Sequence, residues 1–192
     1  MALLPIITLP DPRLRRVSEP VLRVDAEILR LLDDMLETMY EAPGVGLAAV
    51  QVAVAKRVVV VDVSKKEEER SPLFLINPEI IWASEELISY QEGCLSVPDY
   101  FEDVKRPARV RVRHVDRAGG AQEFDADGLL ATVVQHELDH LEGGLFIDHL
   151  SRLKRERVLK KFTKAARHEE QAARRREQEQ ASQERQSEDA EA

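Results

Sequence analysis

The chain has 192 residues, of which 36 are acidic and 28 are Lys or Arg, so its formal net charge at pH 7 is −8. Because an acidic chain is repelled by a phosphate backbone, this balance argues against the whole protein being a DNA-binding protein. At this length one domain with a sizeable hydrophobic core is expected.

The single cysteine, Cys94, excludes an internal disulfide and fits a reducing compartment. The amino end has no basic segment, and Pro5 and Pro10 interrupt its short apolar run, so it does not resemble a signal peptide. No run approaches the ~18 consecutive apolar residues that a membrane helix requires. We therefore expect a cytoplasmic protein with no membrane partner.

Residues 1–24 contain four prolines, which predict an extended segment lying over the core. A first helix is predicted from Asp25, a good N-cap residue, to Tyr40. Its apolar residues recur at helical spacing and predict a buried stripe formed by Ile28, Leu32, Met35, Leu36 and Met39.

The stretch from Pro43 to Gln51 contains Gly44, Gly46 and Ala49 in the G-x-G-x-x-A pattern of dinucleotide-binding loops. Such a loop follows a strand and opens a helix. This stretch follows a helix and leaves no room for another, so nucleotide binding is rejected. We interpret it as a turn where glycine lets the backbone approach a ligand and Gln51 offers an amide donor. The alternative is a loop with an exposed Gln.

Runs of β-branched and aromatic residues predict five strands, at 58–63, 73–82, 86–91, 110–115 and 121–126. Asn77 and Pro78 are expected to bend the second strand or to place it at a sheet edge. The segment 64–71, rich in Lys and Glu, is predicted to be a surface loop. The glycines at 119 and 120 predict a hairpin between the last two strands.

Asp127 is the predicted N-cap of a helix that ends at Gly143. A last helix is predicted from Ser151. Because residues 165–192 contain no Phe, Trp, Tyr or β-branched residue, they are expected to form a solvated helix or a disordered extension. Strands follow one another without intervening helices, so we predict an α+β domain over residues 1–164. Antiparallel sheets would pack around the central helix, with a helix at each end of the domain.

The central helix carries His136 and His140 four residues apart, so their side chains project from one face with Cβ atoms roughly 6 Å apart. Two imidazoles so placed can bind one ion. Glu137 lies about 100° around the helix, where its carboxylate can approach a metal-bound water. This pattern is typical of metal-dependent hydrolases, with two ligands and a general base. The alternative is a surface helix rich in His and Glu.

A catalytic metal site needs three protein ligands, so one remains to be found. The candidates are Cys94, Glu142, His149 and His114. Glu142 lies on a different helix face, and His149 follows a glycine break. Cys94, beside Gly93, is the soft ligand that a borderline divalent metal prefers. The alternative for Cys94 is a small buried hydrophobic residue.

Three stretches resemble, in order and separation, the three motifs of the peptide deformylase family: Gly-Val-Gly-Leu-Ala-Ala-Val-Gln at 44–51, Glu-Gly-Cys-Leu-Ser at 92–96 and Gln-His-Glu-Leu-Asp-His at 135–140. The resemblance extends over about residues 4–164. One departure is the pair Tyr100 and Phe101, which stands where many bacterial members have an Arg. Substrate contacts of that Arg are therefore not transferred to this chain.

The resemblance implies a role for each motif residue. The implied metal ligands are Cys94, His136 and His140. Glu137 is implied as the acid and base, and Gln51 with the backbone N–H of Leu95 as the groups that stabilise the oxyanion. The implied substrate-binding residues are Val45, Gly46, Glu92, Gly93, Leu129 and Val133.

The resemblance also implies the reaction, which is removal of the formyl group from N-formylmethionine of newly synthesised polypeptides, with release of formate. It implies Fe²⁺, one ion per chain. Thiolate and imidazole ligands do not by themselves distinguish iron from zinc, nickel or cobalt, so these ions are expected to be able to substitute. The expected partners of this monomer are N-formylmethionyl nascent peptides and, through the basic final helix, the ribosome.

Two other functions agree with parts of the sequence. A zinc endopeptidase agrees with the helix motif, but its third ligand is usually His or Glu. A noncatalytic, metal-stabilised ribosome-associated factor agrees with the basic final helix, but it has no need of Glu137 or Gln51. An assay for formate release, with the metal content measured in the same sample, would separate the three functions.

Overall fold

In this computed structural model of the protein, residues 2–65 and 69–191 are described, without the side chains of 169, 170 and 176–191. Residues 66–68 of the predicted surface loop and residue 192 of the predicted extension lie outside this range. The chain forms two compact units, Met1–Ser151 and Arg152–Ala192. No helix in the described part of the chain is long and apolar enough to cross a membrane.

Among the described residues of the first unit, the helices are α1 (Ala26–Glu41) and α2 (Gly128–Leu141). The strands are β1 (Gly46–Ala48), β2 (Val58–Val61), β3 (Leu73–Ala83), β4 (Leu87–Cys94), β5 (Val97–Pro107), β6 (Arg109–Val115) and β7 (Ala121–Asp127). Short 3₁₀ helices span Pro12–Arg15, Ala49–Val52 and Phe146–His149. The second unit is the helix α3 (Arg152–Glu191).

The strands form a five-stranded sheet in the order β1-β2-β3-β6-β7 and a two-stranded sheet, β4-β5. Every pairing between these seven strands is antiparallel, so the predicted α+β class is confirmed. In β2, Val59 and Val61 pack in one apolar cluster with residues of α2, whereas Val58 and Val60 pack in a second cluster with residues of α1. Because successive side chains point to opposite faces, both faces of β2 are covered and its whole run is apolar.

Helix α1 begins where the sequence predicts. The Asp25 side chain accepts hydrogen bonds from the backbone N–H groups of Glu27 and Ile28, which satisfies two donors of the first turn. Met35 and Met39 are fully buried, as the predicted stripe requires. Each such side chain contributes about 2 kcal/mol through removal of apolar surface from water.

Strand β3 bends, as predicted, but it does not lie at an edge. Its register shifts between Ile76 and Glu79, and Asn77 has φ +51°. At such a bulge, the missing N–H of Pro78 removes no ladder hydrogen bond, so proline is tolerated between two neighbouring strands. The Asn77 side chain accepts from the N–H of Val21 and donates to its carbonyl, which attaches the extended amino-terminal segment to the sheet.

Two strands near the motifs were not predicted. Residues 46–48, interpreted as part of a turn, instead form β1 and pair with β2. Strand β5 contains mostly charged, aromatic and proline residues from Pro98 to Arg106, so no β-branched run marks it. Its backbone donors and acceptors are satisfied by β4 in a hairpin, and this pairing gives it strand structure.

Helix α2 follows Asp127, as predicted, although the Asp127 side chain makes no capping hydrogen bond. The helix ends at Leu141, and Gly143 then has φ +74°. A Cβ atom at Gly143 would lie 2.6 Å from the carbonyl oxygen of Arg15. Both the left-handed backbone and this close approach therefore require glycine.

Candidate metal centre

Helix α2 is buried rather than exposed, which excludes the interpretation of a surface helix rich in His and Glu. It packs against β1, β2 and β7 and also contacts β5 of the hairpin. His136 is 7% exposed, Glu137 is 4% exposed and His140 is fully buried. Buried histidine and glutamate side chains are costly without partners, so their surroundings determine what they can do.

The side chains of Cys94, His136 and His140 converge on one point. Cys94 stands at the end of β4, next to the hairpin turn, and the two histidines stand one helical turn apart on α2. One ligand atom from each residue lies within 4.8 Å of the other two, and Cys94 Sγ lies 3.3 Å from His140 Nε2. Atoms bound at 2.0–2.3 Å to one tetrahedral ion are separated by about 3.4 Å. A sulfur and two imidazole nitrogens in this arrangement fit a divalent transition metal.

Glu92, which also stands on β4, holds the imidazole of His136. Its Oε2 atom lies 2.8 Å from His136 Nδ1, so Nε2 is left to face the centre. Burial alone would raise the pKa of Glu92, but hydrogen bonds from His136 and Arg106 outweigh burial and hold this pKa below its ordinary range. An ionised carboxylate accepts the Nδ1 proton and thereby selects the tautomer that can bind metal through Nε2.

Arg106, on β5, lies outside the three sequence motifs and was not predicted to belong to the site. It is 4% exposed, and its Nε and Nη2 atoms donate to the two oxygens of Glu92 at 2.5 and 3.0 Å. Its Nη1 atom donates to Asp139 Oδ2 at 2.9 Å. An Arg in a charged segment is usually solvated, and only the pairing of β5 with β4 brings this one inside.

Glu137 lies beside the ligand cluster with an unsatisfied carboxylate oxygen. Its Oε2 atom is buried without a hydrogen-bond partner, and burial raises the pKa of Glu137 to about 7. The backbone of β1 passes directly over it, since a Cβ atom at Gly46 would lie 2.4 Å from Glu137 Oε1. Glycine at position 46 therefore permits the close approach of β1 to this carboxylate.

Gln51 is 1% exposed, so the alternative of an exposed loop residue is wrong. Its Oε1 atom accepts from the N–H of Ala48 at 2.8 Å, and its Nε2 atom donates to Ser96 Oγ at 3.1 Å. Nε2 also lies 3.6 Å from Cys94 Sγ. Leu95 follows Cys94 directly, so its backbone N–H belongs to the same hairpin turn as the candidate sulfur ligand.

A cavity of about 550 Å³ opens over this centre. The residues predicted to bind substrate all contribute to its lining: Val45, Gly46, Glu92, Gly93, Leu129 and Val133. Val45 and Leu129 are 43% and 44% exposed, so the cavity offers uncovered apolar surface beside the polar centre. Such a site can hold an apolar side chain while a group next to it reacts. Glu92 lines the cavity, but both of its oxygens are already hydrogen-bonded to Arg106 and His136.

The remaining candidate ligands have other surroundings. Glu142 pairs with Arg57, and His149 pairs with Asp139. His114, on β6, lies edge-on to the ring of Phe124. None of the three joins the cluster around Cys94 within the described residues.

Comparisons with known proteins agree on one family. The family model described as polypeptide deformylase matches residues 3–156. Peptide deformylase of Methylocella silvestris is 60% identical over 178 residues, which cover 91% of each chain. That of Agrobacterium fabrum is 59% identical over 167 residues, covering 87% of this chain and 98% of the relative. The crystal structure of peptide deformylase from Ehrlichia chaffeensis in complex with actinonin matches with a TM-score of 0.81 at 44% identity. It covers 86% of this chain and 98% of that one.

Proposed function

This chain belongs to the polypeptide deformylase family, and we propose that the cavity above Cys94, His136 and His140 is its active site. Its activity is removal of the formyl group from the amino terminus of nascent peptides. The observation that best supports this location is that three ligand atoms lie within 4.8 Å of one another beside buried Glu137. Family membership does not favour an endopeptidase or a noncatalytic ribosome-associated factor.

The enzyme depends on a metal, and we propose that this metal is Fe²⁺, one ion per chain, held by Cys94, His136 and His140. When bound, the ion supplies a Lewis acid and a water of lowered pKa. The same donors accept zinc, nickel or cobalt, so these ions are expected to substitute. Metal analysis of protein purified under nitrogen tests the assignment, and zinc as the sole bound metal would overturn it.

Glu137 is proposed as the acid and base of the reaction. Its unpaired buried oxygen supports this role, because no protein donor competes for it in the described structure. The carboxylate takes a proton from the attacking water while the oxygen of that water bonds to the formyl carbon. When the carbon–nitrogen bond breaks, Glu137 gives the proton to the leaving amine. The products are formate and a free amino terminus.

Gln51 and the backbone N–H of Leu95 are proposed to donate hydrogen bonds to the oxygen that becomes negative on the formyl carbon. The position of Gln51 supports this role, since its Nε2 atom already reaches Cys94 Sγ and Ser96 Oγ in a buried setting. Donors held in place before reaction stabilise developing charge without the cost of reorganising them.

Replacement of Gln51 by Leu is expected to lower kcat about 100-fold, the scale for loss of one such donor, with a smaller change in KM. The amide interacts mainly with charge that is absent from the bound substrate. Formate release and metal content would be measured together. Ser96→Ala is the control, since it removes a partner of Gln51 but leaves the amide donor, and it should keep most of the activity. A raised KM with unchanged kcat in Gln51→Leu would make this residue a substrate contact only.

Replacement of Gly46 by Ala is expected to displace Glu137 and lower kcat by about 10- to 100-fold, because small misplacements of a reacting group are costly. The new Cβ atom would lie 2.4 Å from Glu137 Oε1 and 2.8 Å from Val133 Cγ1. Gly120→Ala is the matched control, since its Cβ atom, in the turn between β6 and β7, would meet only the side chain of Asp116, and this variant should keep nearly full activity. Equal activity of Gly46→Ala and wild type at equal metal content would contradict this placement of Glu137.

The methionine side chain of the substrate is proposed to lie against Val45, Leu129 and Val133. The exposed apolar surface of Val45 and Leu129 in the cavity supports this assignment. A thioether chain gains free energy when it leaves water for such a surface. Val45→Asp is expected to slow the turnover of formyl-Met peptides, because its carboxylate would have to be desolvated when the methionine side chain binds. Normal turnover by this variant would show that the methionine side chain binds elsewhere.

We also propose that the catalytic domain is residues 1–164, that residues 165–192 are an extension, and that the protein works as a monomer in the cytoplasm on nascent chains.

The basic start of α3 is proposed to contact the ribosome, because positive charge is attracted to the phosphates of ribosomal RNA. The basic residues are Arg152, Lys154, Arg155, Arg157, Lys160 and Lys161. Cosedimentation with ribosomes tests this contact, and Lys160→Glu with Lys161→Glu should weaken it. Sedimentation velocity tests the monomer.

A further inference from the structure

A continuous chain of hydrogen bonds leads from the protein surface to the metal centre. His149 Nε2 lies 2.7 Å from Asp139 Oδ2, and the same oxygen accepts from Arg106 Nη1 at 2.9 Å. Arg106 donates to both oxygens of Glu92, and Glu92 Oε2 lies 2.8 Å from His136 Nδ1. The outer end is accessible, since the His149 side chain is 41% exposed, whereas Glu92 and Arg106 side chains are 4% and 5% exposed.

We infer that His149 is a positioning residue for the metal ligand His136, acting through Asp139, Arg106 and Glu92. The inference rests on the proposed function, because it takes His136 as a metal ligand. His149 itself touches neither the ligand cluster nor the cavity above it within the described structure.

The geometry of Arg106 explains how an effect would pass along the chain. A guanidinium is planar and carries its donors in a rigid fork. With Nε and Nη2 on Glu92, the direction of Nη1 is determined, and Asp139 stands where Nη1 points. Two carboxylates on opposite sides thus hold one buried cation. If either carboxylate were lost, the guanidinium could tilt, and its hydrogen bonds to the remaining carboxylate would weaken.

His149 determines whether Asp139 stays in that place. The Asp139 side chain is 29% exposed, so it can turn toward solvent unless a second contact retains it. Oδ2 is retained by two donors, Arg106 from the inside and His149 from the outside. His149 stands in the 3₁₀ helix Phe146–His149, and the ring of Phe146 stacks on His136 at 5.9 Å between centroids. This short helix therefore contacts the metal ligand directly and also anchors the outer end of the chain.

The test measures how fast a bound ion is lost. Wild type, His149→Ala and His149→Gln would be loaded with Ni²⁺, and the transfer of Ni²⁺ to excess chelator would be followed at one pH. Loss of a direct partner of a metal-bound histidine weakens metal binding about 10- to 100-fold, so Glu92→Gln sets the upper limit. Because His149 acts through three intervening residues, His149→Ala is expected to release Ni²⁺ about 3- to 10-fold faster than wild type.

Two comparisons separate positioning from a general loss of stability. His149→Gln keeps a donor N–H at the place of Nε2, so it should retain Ni²⁺ like wild type. In the Glu92→Gln background, His149→Ala should not increase the rate of Ni²⁺ release further, because the connection between Arg106 and His136 is already broken. His114→Ala, at a histidine outside the chain, is the matched control and should not change the rate.

An unchanged rate in His149→Ala would overturn the inference, as would an equal effect with and without Glu92→Gln. If Glu92→Gln does not fold, the test is the comparison of His149→Gln with His149→Ala. Equal rates of Ni²⁺ release in these two variants would overturn the inference. Failure of the proposed function is distinguishable, because Cys94→Ser would then retain its Ni²⁺ whatever His149 does.

Discussion

Replacement of Glu137 by Gln is expected to lower the rate of formate release by about 10²- to 10⁴-fold, the range that a positioned acid and base supplies. The upper part of the range applies if the same carboxylate also protonates the leaving amine. Gln keeps the volume and reach of Glu but lacks the basic oxygen. Since Glu137 is not among the three converging ligands, the fold and the metal content should survive.

The measurement compares wild type and Glu137→Gln, loaded with the same quantified metal, at saturating formyl-Met-Ala-Ser. Glu142→Gln is the matched control, because Glu142 caps the same helix but pairs with Arg57 on the exposed side. It should retain nearly full activity. If Glu137→Gln keeps its metal and releases formate at more than about a tenth of the wild-type rate, Glu137 is not the acid and base.

Replacement of Cys94 by Ser is expected to remove metal and activity together. The thiolate is an anionic, soft ligand, and a neutral hydroxyl is a poor substitute for it. Loss of a residue that hydrogen-bonds to a metal ligand weakens metal binding about 10- to 100-fold. Loss of a ligand itself should cost more, so we expect metal affinity to decrease on the order of 1,000-fold. Serine has nearly the same size, and the hairpin that carries position 94 is held by backbone pairing of β4 with β5.

Metal content per chain, thermal stability and formate release would be measured on the same preparation of Cys94→Ser. Because the expected defect is in affinity, a large excess of metal should restore part of the activity. The control variant is Val97→Ala, which changes the residue that faces Cys94 in the hairpin but leaves the sulfur. Normal metal content and full activity in Cys94→Ser would remove Cys94 from the centre.

Elements with a strong local pattern could be predicted from the sequence. Helix α1 has both a capping Asp25 and a period of apolar residues, and the β6–β7 hairpin has glycines between two alternating strands. These signals are local because helix caps, tight turns and side-chain periods depend on neighbours in the chain. The helix with His136 and His140 could be recognised for the same reason.

Elements without such a pattern needed the tertiary structure. Strand β5 forms because β4 is beside it, and the position of β3 between two strands depends on which strands meet it. Strand propensity describes a half-buried pleated surface, so it is weak where one face is charged and exposed. The bend at Asn77 was predictable from Pro78, but its place in the middle of the sheet was not.

The sequence by itself determined the chemistry available to this protein: a soft sulfur, two imidazoles one helical turn apart and a carboxylate beside them. Residue types and short spacings carry that information directly. Only the tertiary structure brought Cys94 to 3.3 Å from His140, buried Arg106 between Glu92 and Asp139, and connected His149 to this group. These contacts join residues up to 46 positions apart. They depend on strand pairing and packing, which short-range patterns do not encode.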